Sequence, residues 1–181
     1  DPLSLLGDLV AKAKKAGAEA ADAVHFSSTG LSHAQRLGAP ERLEREESHD
    51  VGLRVMIGRR QAIVSSTDLA ADSINELVER AVAMAKVVPE DPYCGLAAPE
   101  ELATSVPDLD ILDSDEPAPE LLIERARACE EAARSVKGVT NSEGAEASWS
   151  RIEIALVTSN GFARGYGRSG HSPAITETPT E

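Results

Sequence analysis

The stretch from Asp50 to Leu69, DVGLRVMIGRRQAIVSSTDL, constrains the fold more than any other part of the chain. Val51, Leu53, Val55 and Ile57 alternate with Gly52, Arg54 and Met56, the two-residue period of a strand with one buried face. Gly58-Arg59-Arg60 breaks the pattern and Gln61 to Ser66 reads as a return strand, so the segment predicts a tight hairpin. A helix follows. Ile74, Leu77, Val78, Ala81, Val82 and Ala85 fall on one helical face, and Ser73-Ile74-Asn75-Glu76 has the form of a capping box, at the helix start or in its first turn.

Upstream, a first helix is predicted from about Leu3 to Ala16, with Asp1 as cap, Pro2 at the first helical position, Gly17 as stop and Leu6, Val10 and Ala13 on its inner stripe. Three short strands are expected next: Asp22 to Ser28, Leu31 to Leu37 after a turn at Ser28-Thr29-Gly30, and Arg42 to His49 after Gly38-Ala39-Pro40. The third, rich in ERLEREE, could equally pair its charges along a short helix.

Downstream, prolines and aspartates dominate Val88 to Pro119, which reads as a crossing loop. A third helix spans about Glu120 to Val136, with Leu122, Ala126, Cys129, Ala133 and Val136 on one side, so that Cys129 reads as core. Ser148 to Thr158 alternates as a strand, Ser159-Asn160-Gly161-Phe162 is a hairpin turn, Phe162 to Arg168 returns, and Ser172 to Thr178 starts another extended segment. Together these elements predict an α+β fold: a curved, mainly antiparallel sheet with about three helices packed on one face.

Composition removes some functions. A net charge of −13 repels nucleic acid, because a duplex-binding surface needs clustered Lys and Arg. Lys12, Lys14 and Lys15, like Arg59 and Arg60, suit a solvated helix end and a hairpin tip. Only 3% of residues are aromatic, which leaves Trp149 and the two Phe residues as the bulky anchors of a core otherwise built from Ala, Val, Leu and Ile. Cys94 and Cys129 form no CxxC pair and no secreted framework, and the chain shows neither a leader pattern nor a membrane-length apolar run, so a reducing, cytoplasmic setting is expected.

Catalytic chemistry finds few candidates. Zinc hydrolysis needs ligands at helical spacing with a carboxylate beside them, and His25, His33, His49 and His171 each stand alone in a predicted strand or turn, as surface or pocket-wall residues. Asp108, Asp110, Asp113 and Asp115 fail the calcium-loop template: counted from Asp108, the sixth position is Asp113 rather than Gly and the twelfth is Pro119 rather than Glu. Gly161 to Gly170 is glycine-rich but opens no helix, so its glycines point to close backbone approach, and Arg164 and Arg168 on that strand could border a peptide or partner strand. Ser65, Ser66 and Thr67 lack a nucleophile elbow. No catalytic, cofactor-binding or metal-ligating residue is assigned.

The wording of several segments is nevertheless distinctive. Arg36-Leu37-Gly38 with Glu41, the Asp50–Leu69 hairpin, CGLAAPEELATSVPDLDILD from Cys94 to Asp113, and TNSEGAEASWSRIEIALVTSNGFARGY from Thr140 to Tyr166 occur in an order that resembles the N-terminal domain of the TldD/PmbA family. These are metallopeptidases also called modulators of DNA gyrase, and the downstream segments resemble the PmbA branch, also called TldE. The resemblance favours the strand at Arg42 to His49. It implies that residues 1–181 form a single N-terminal domain, cut from a longer polypeptide, with residues 89–119 as a crossing loop inside it. It further implies a non-catalytic subunit of a cytoplasmic peptidase, one that docks a TldD-type subunit or self-associates and walls a peptide cavity. Zinc would sit in a TldD-type partner's C-terminal domain, on a His-Glu-three residues-His motif, and not in this chain. The alternative is a homo-oligomeric binding or scaffold protein without enzymatic activity.

Overall fold

A computed structural model describes residues 1–113 and 115–179. The order of elements is α1 (Pro2–Lys15), β1 (Ala20–Arg36), β2 (Ala39–Ile57), β3 (Arg60–Ser66), α2 (Ala71–Ala85), a short 3₁₀ turn (Pro99–Glu101), α3 (Pro119–Arg134), β4 (Val139–Thr158) and β5 (Ala163–Pro179). The strands form one open antiparallel sheet in the order β3-β2-β1-β4-β5, so the fold is α+β. The hairpin of β2 and β3 pairs Val51 with Ser66, Leu53 with Val64 and Val55 with Ala62, which puts the apolar residues of both strands on the same face.

By compactness the chain divides into two units. The first holds Asp1–Ser27, His49–Leu109 and Glu153–Tyr166. Its core joins Leu6, Leu9, Val10 and Ala13 of α1 to Val51, Leu53 and Val55 of β2, Ala62 and Val64 of β3, and Ile74, Leu77, Val78 and Ala81 of α2. Asp1 caps α1 by accepting the Leu3 N–H at 3.2 Å. Ser73 lies in the first turn of α2 and forms no capping box; its hydroxyl donates to Asp68, whose other carboxylate oxygen accepts the Ala70 N–H, so Asp68 organises that helix start. The second unit holds Ser28–Ser48, Asp110–Ile152 and Gly167–Glu181, of which Ser114, Thr180 and Glu181 lie outside the described residues. Its smaller core packs Leu122 and Ala126 of α3 on Leu31 of β1 and Ala145, Ala147 and Trp149 of β4.

The strands are longer than the sequence pattern predicts. No turn forms at Ser28-Thr29-Gly30: β1 runs through, with Gly30 extended and the space where its side chain would be close to the Trp149 carbonyl. There glycine permits close approach rather than reversal. The chain turns at Leu37-Gly38, one residue ahead of the turn expected at Gly38-Ala39-Pro40, and φ there is 52° and 79°, the double positive value that a two-residue hairpin requires. The expected strand at Arg42–His49 and the one starting at Val51 are a single strand, β2, and the extended segments on either side of Gly170 are likewise one strand, β5. Of the three bulky anchors Trp149 is buried, whereas Phe26 and Phe162 are only half-buried.

On α3 the buried stripe is Leu122, Ala126 and Glu130. Cys129 is half-buried and Val136 is exposed, so the expected core position of Cys129 is corrected by one residue, to a carboxylate. The helix presents positions four apart to the sheet, and that row runs through Glu130.

Candidate functional site

Glu130 is the most elaborately held polar group in the second unit. It is 2% exposed, and its carboxylate accepts four hydrogen bonds: from Gln35 Nε2 (2.9 Å), the Leu37 N–H (2.6 Å), the Gly38 N–H (2.9 Å) and Ser142 Oγ (2.9 Å). Burial alone would raise its pKa; the bonds from Gln35, Gly38, Ser142 and Leu37 outweigh burial and hold it down at about 2. A carboxylate so ionised and so fully occupied is poorly matched to moving protons near neutrality. Its role is to lock three elements: the β1–β2 turn, the start of β4, and α3. Leu37 is a non-glycine residue with positive φ, and its N–H and that of Gly38 both end on Glu130, which over-determines a conformation that Leu disfavours. Gly144, at φ 122°, lets β4 pass Gln35: a Cβ there would lie 3.2 Å from the Gln35 carbonyl.

The outer strand β5 is the second feature. The Ser169 N–H donates to the Ile111 carbonyl (2.9 Å), and Ser169 Oγ accepts the Asp113 N–H (2.8 Å), so an extended segment of the crossing loop lies along its outer edge. Gly165 approaches β4 closely, its absent Cβ 3.0 Å from the Ile154 carbonyl, as expected of a glycine-rich strand. Arg164 and Arg168 are exposed; the Arg164 guanidinium donates to the carbonyl of Ala163. In the second unit the exposed Arg45 pairs with Glu116 (2.6 Å) and Glu47 (2.7 Å), and Arg42 with Glu146 (3.0 Å). The hydrogen bond from Arg45 holds the Glu116 carboxyl below its ordinary range, and those bonds raise Arg45 in turn.

The four histidines are not brought together. His25 is half-buried on β1, His49 and His171 are exposed, and His171 Nδ1 lies 2.6 Å from Arg125 Nη1. His33, expected at a surface or pocket wall, is 1% exposed within the second unit, and neither ring nitrogen has a partner among the described residues. The indole nitrogen of Trp149 is in the same condition. Among the described residues no group of three or more His, Cys, Asp or Glu side chains is placed to hold a metal ion. Glu130 was not singled out from sequence, and His33 was named there only as a surface or pocket-wall residue; for Glu130 the signal was its four-residue spacing from Leu122 and Ala126.

Comparison with known proteins decides the family. The profile described as PmbA/TldA metallopeptidase domain 1 matches residues 21–85, and that described as PmbA/TldA metallopeptidase central domain matches residues 112–176. The chain belongs to the PmbA/TldD family. It is 34% identical over 164 residues to metalloprotease PmbA of Escherichia coli O157:H7, covering 90% of this chain and 36% of that protein. It is 34% identical over 134 residues to a PmbA homologue of Haemophilus influenzae, covering 74% of this chain and 30% of the homologue. The chain thus spans about a third of the length of these PmbA relatives. In fold it is similar to a proposed modulator of DNA gyrase from Bacteroides thetaiotaomicron, with a TM-score of 0.88 at 22% identity over 98% of this chain and 41% of that one. It is also similar to TldE of Thermococcus kodakarensis, with a TM-score of 0.79 at 15% identity over 98% and 40% of the two chains. Among the described residues no helix is long and apolar enough to cross a membrane.

Proposed function

We propose that this PmbA/TldD-family chain is the non-catalytic part of a cytoplasmic peptide-processing assembly, where it docks a TldD-type subunit and walls the cavity through which peptides pass. Zinc and the bond-breaking step then belong to the TldD-type subunit. The observation that carries the reading is β5: its outer edge already accepts an extended segment, through the Ser169 N–H and the Ile111 carbonyl, which is how a strand edge receives a peptide. On this reading the Gly167 N–H, two residues before that of Ser169 along an antiparallel edge, points to the same side as a second donor for the peptide.

The test uses the full-length protein with a TldD-type chain from the same genome. The pair is expected to co-purify and to cleave peptides only with zinc present, while the full-length form of this chain alone does not. Gly167→Pro, which removes one outward donor, is expected to weaken peptide binding about fivefold, the net worth of one hydrogen bond. Zinc-dependent cleavage by the full-length form of this chain alone would overturn the assignment of roles.

A further inference from the structure

The hairpin between β4 and β5 turns at Asn160-Gly161, and Asn160 does more than reverse the chain. Its Nδ2 donates to the Ala97 carbonyl at 2.7 Å, tying the crossing loop to the hairpin tip within the first unit. Nearer its start, the loop is also held at Asp91, whose N–H donates to the Arg59 carbonyl at 2.7 Å. Cys94 lies between the two tethers.

The same turn is arranged for chemistry on Asn160. Thr158 Oγ1 accepts the Phe162 N–H (3.1 Å), which leaves its own proton for Asn160 Oδ1 at 2.5 Å and polarises the side-chain amide. The neighbouring nucleophile is the Gly161 nitrogen, whose residue is exposed, has φ 102° and carries no side chain to hinder attack. Only a 3.2 Å hydrogen bond to the Thr158 carbonyl holds that N–H. The chain's other asparagines lack this setting: Asn75 lies inside α2 before Glu76, with its Oδ1 taken by Lys12 Nζ, and Asn141 lies in β4 before Ser142.

The geometry points to Asn160 as a self-modifying latch, a deamidation site whose conversion to a carboxylate releases the crossing loop. The Gly161 nitrogen attacks Asn160 Cγ; the Cγ–Nδ2 bond breaks, and ammonia leaves with the proton from Gly161. Water then opens the five-membered imide at either carbonyl, giving aspartate or isoaspartate. One water enters and one ammonia departs, with no oxidant or reductant. The product carboxylate has no proton to give the Ala97 carbonyl, so the tether is lost and two oxygens are left facing each other.

Two measurements on the full chain test this. Peptide mapping by mass spectrometry, during incubation in mildly alkaline buffer, is expected to find conversion at Asn160 before Asn75 or Asn141. Its rate should be about ten- to a hundredfold below that of a free Ser159–Ala163 peptide, because two hydrogen bonds must open first. In a Cys129→Ala background, Asn160→Asp is expected to speed thiol labelling of Cys94 about tenfold, with the circular dichroism of the chain unchanged. Conversion at Asn75 or Asn141 ahead of Asn160, or an Asn160 converting more than about a thousandfold more slowly than the free peptide, would overturn the site. Equal labelling of Cys94 in the two chains would overturn the latch.

Discussion

Replacing Glu130 with Gln tests whether the buried carboxylate holds the second unit together. The folded carboxylate has its pKa lowered from the ordinary 4.5 to about 2, a difference that corresponds to about 3 kcal/mol at 1.36 kcal/mol per unit. At 2% exposure, solvent screening takes little from that figure. The direction follows from linkage: the depressed folded value means the contribution is complete above about pH 4.5 and is lost as pH falls towards 2. Glutamine keeps the shape but brings an NH₂ group to face donors, since Gln35, Leu37, Gly38 and Ser142 all donate here. At least one donor is then left unpaired, and E130Q should be less stable than wild type by about 3 kcal/mol at neutral pH. Urea titrations at a series of pH values separate the effect from other carboxylates. The gap between wild type and E130Q should be full at pH 7 and narrow progressively below about pH 4.5, at an unchanged m-value. A gap that stays constant down to pH 3, or equal midpoints at neutral pH, would refute the account.

Two further substitutions probe the same unit. Gly144→Ala should cost about 2 kcal/mol, because it combines φ 122° with a Cβ 3.2 Å from the Gln35 carbonyl, and thermal unfolding would show it as a lowered Tm. His33→Leu should be neutral or stabilising by about 1 kcal/mol, since it removes two buried nitrogens that lack partners among the described residues; a loss above that size in urea would mean the ring has a partner.

The first unit was legible because its pattern is local. The alternation through Val51, Leu53 and Val55 and the helical face through Ile74, Leu77 and Ala81 both survive unchanged into the core, since each element buries the face its own period marks out. The second unit was less so. Ser28-Thr29-Gly30 has the composition of a turn, but Thr favours strands and Gly30 is needed where β1 nears β4, so a contact distant in sequence overrides the local signal. The turn at Leu37-Gly38 was legible from its glycine but placed one residue late, at Gly38-Ala39-Pro40. Its first residue is one that turns avoid, and the partner that stabilises it, Glu130, lies 93 positions away.

Glu130 also explains why the stripe on α3 was read one residue out of place. Hydrophobicity favours Cys129 as the inward residue, and a carboxylate is ordinarily placed in solvent. What reverses the preference is the number of donors converging from β1, the hairpin turn and β4, none of which the helix sequence contains. An apolar residue at position 130 would fill the space yet leave the Leu37 and Gly38 N–H groups and the Ser142 hydroxyl without an acceptor, and the turn would lose what holds Leu37 at positive φ. The carboxylate therefore contributes more to which turn forms than to how much apolar surface is buried. Register in this sheet depends on that turn, because a shift of one residue would send Leu31, His33 and Gln35 to the opposite face.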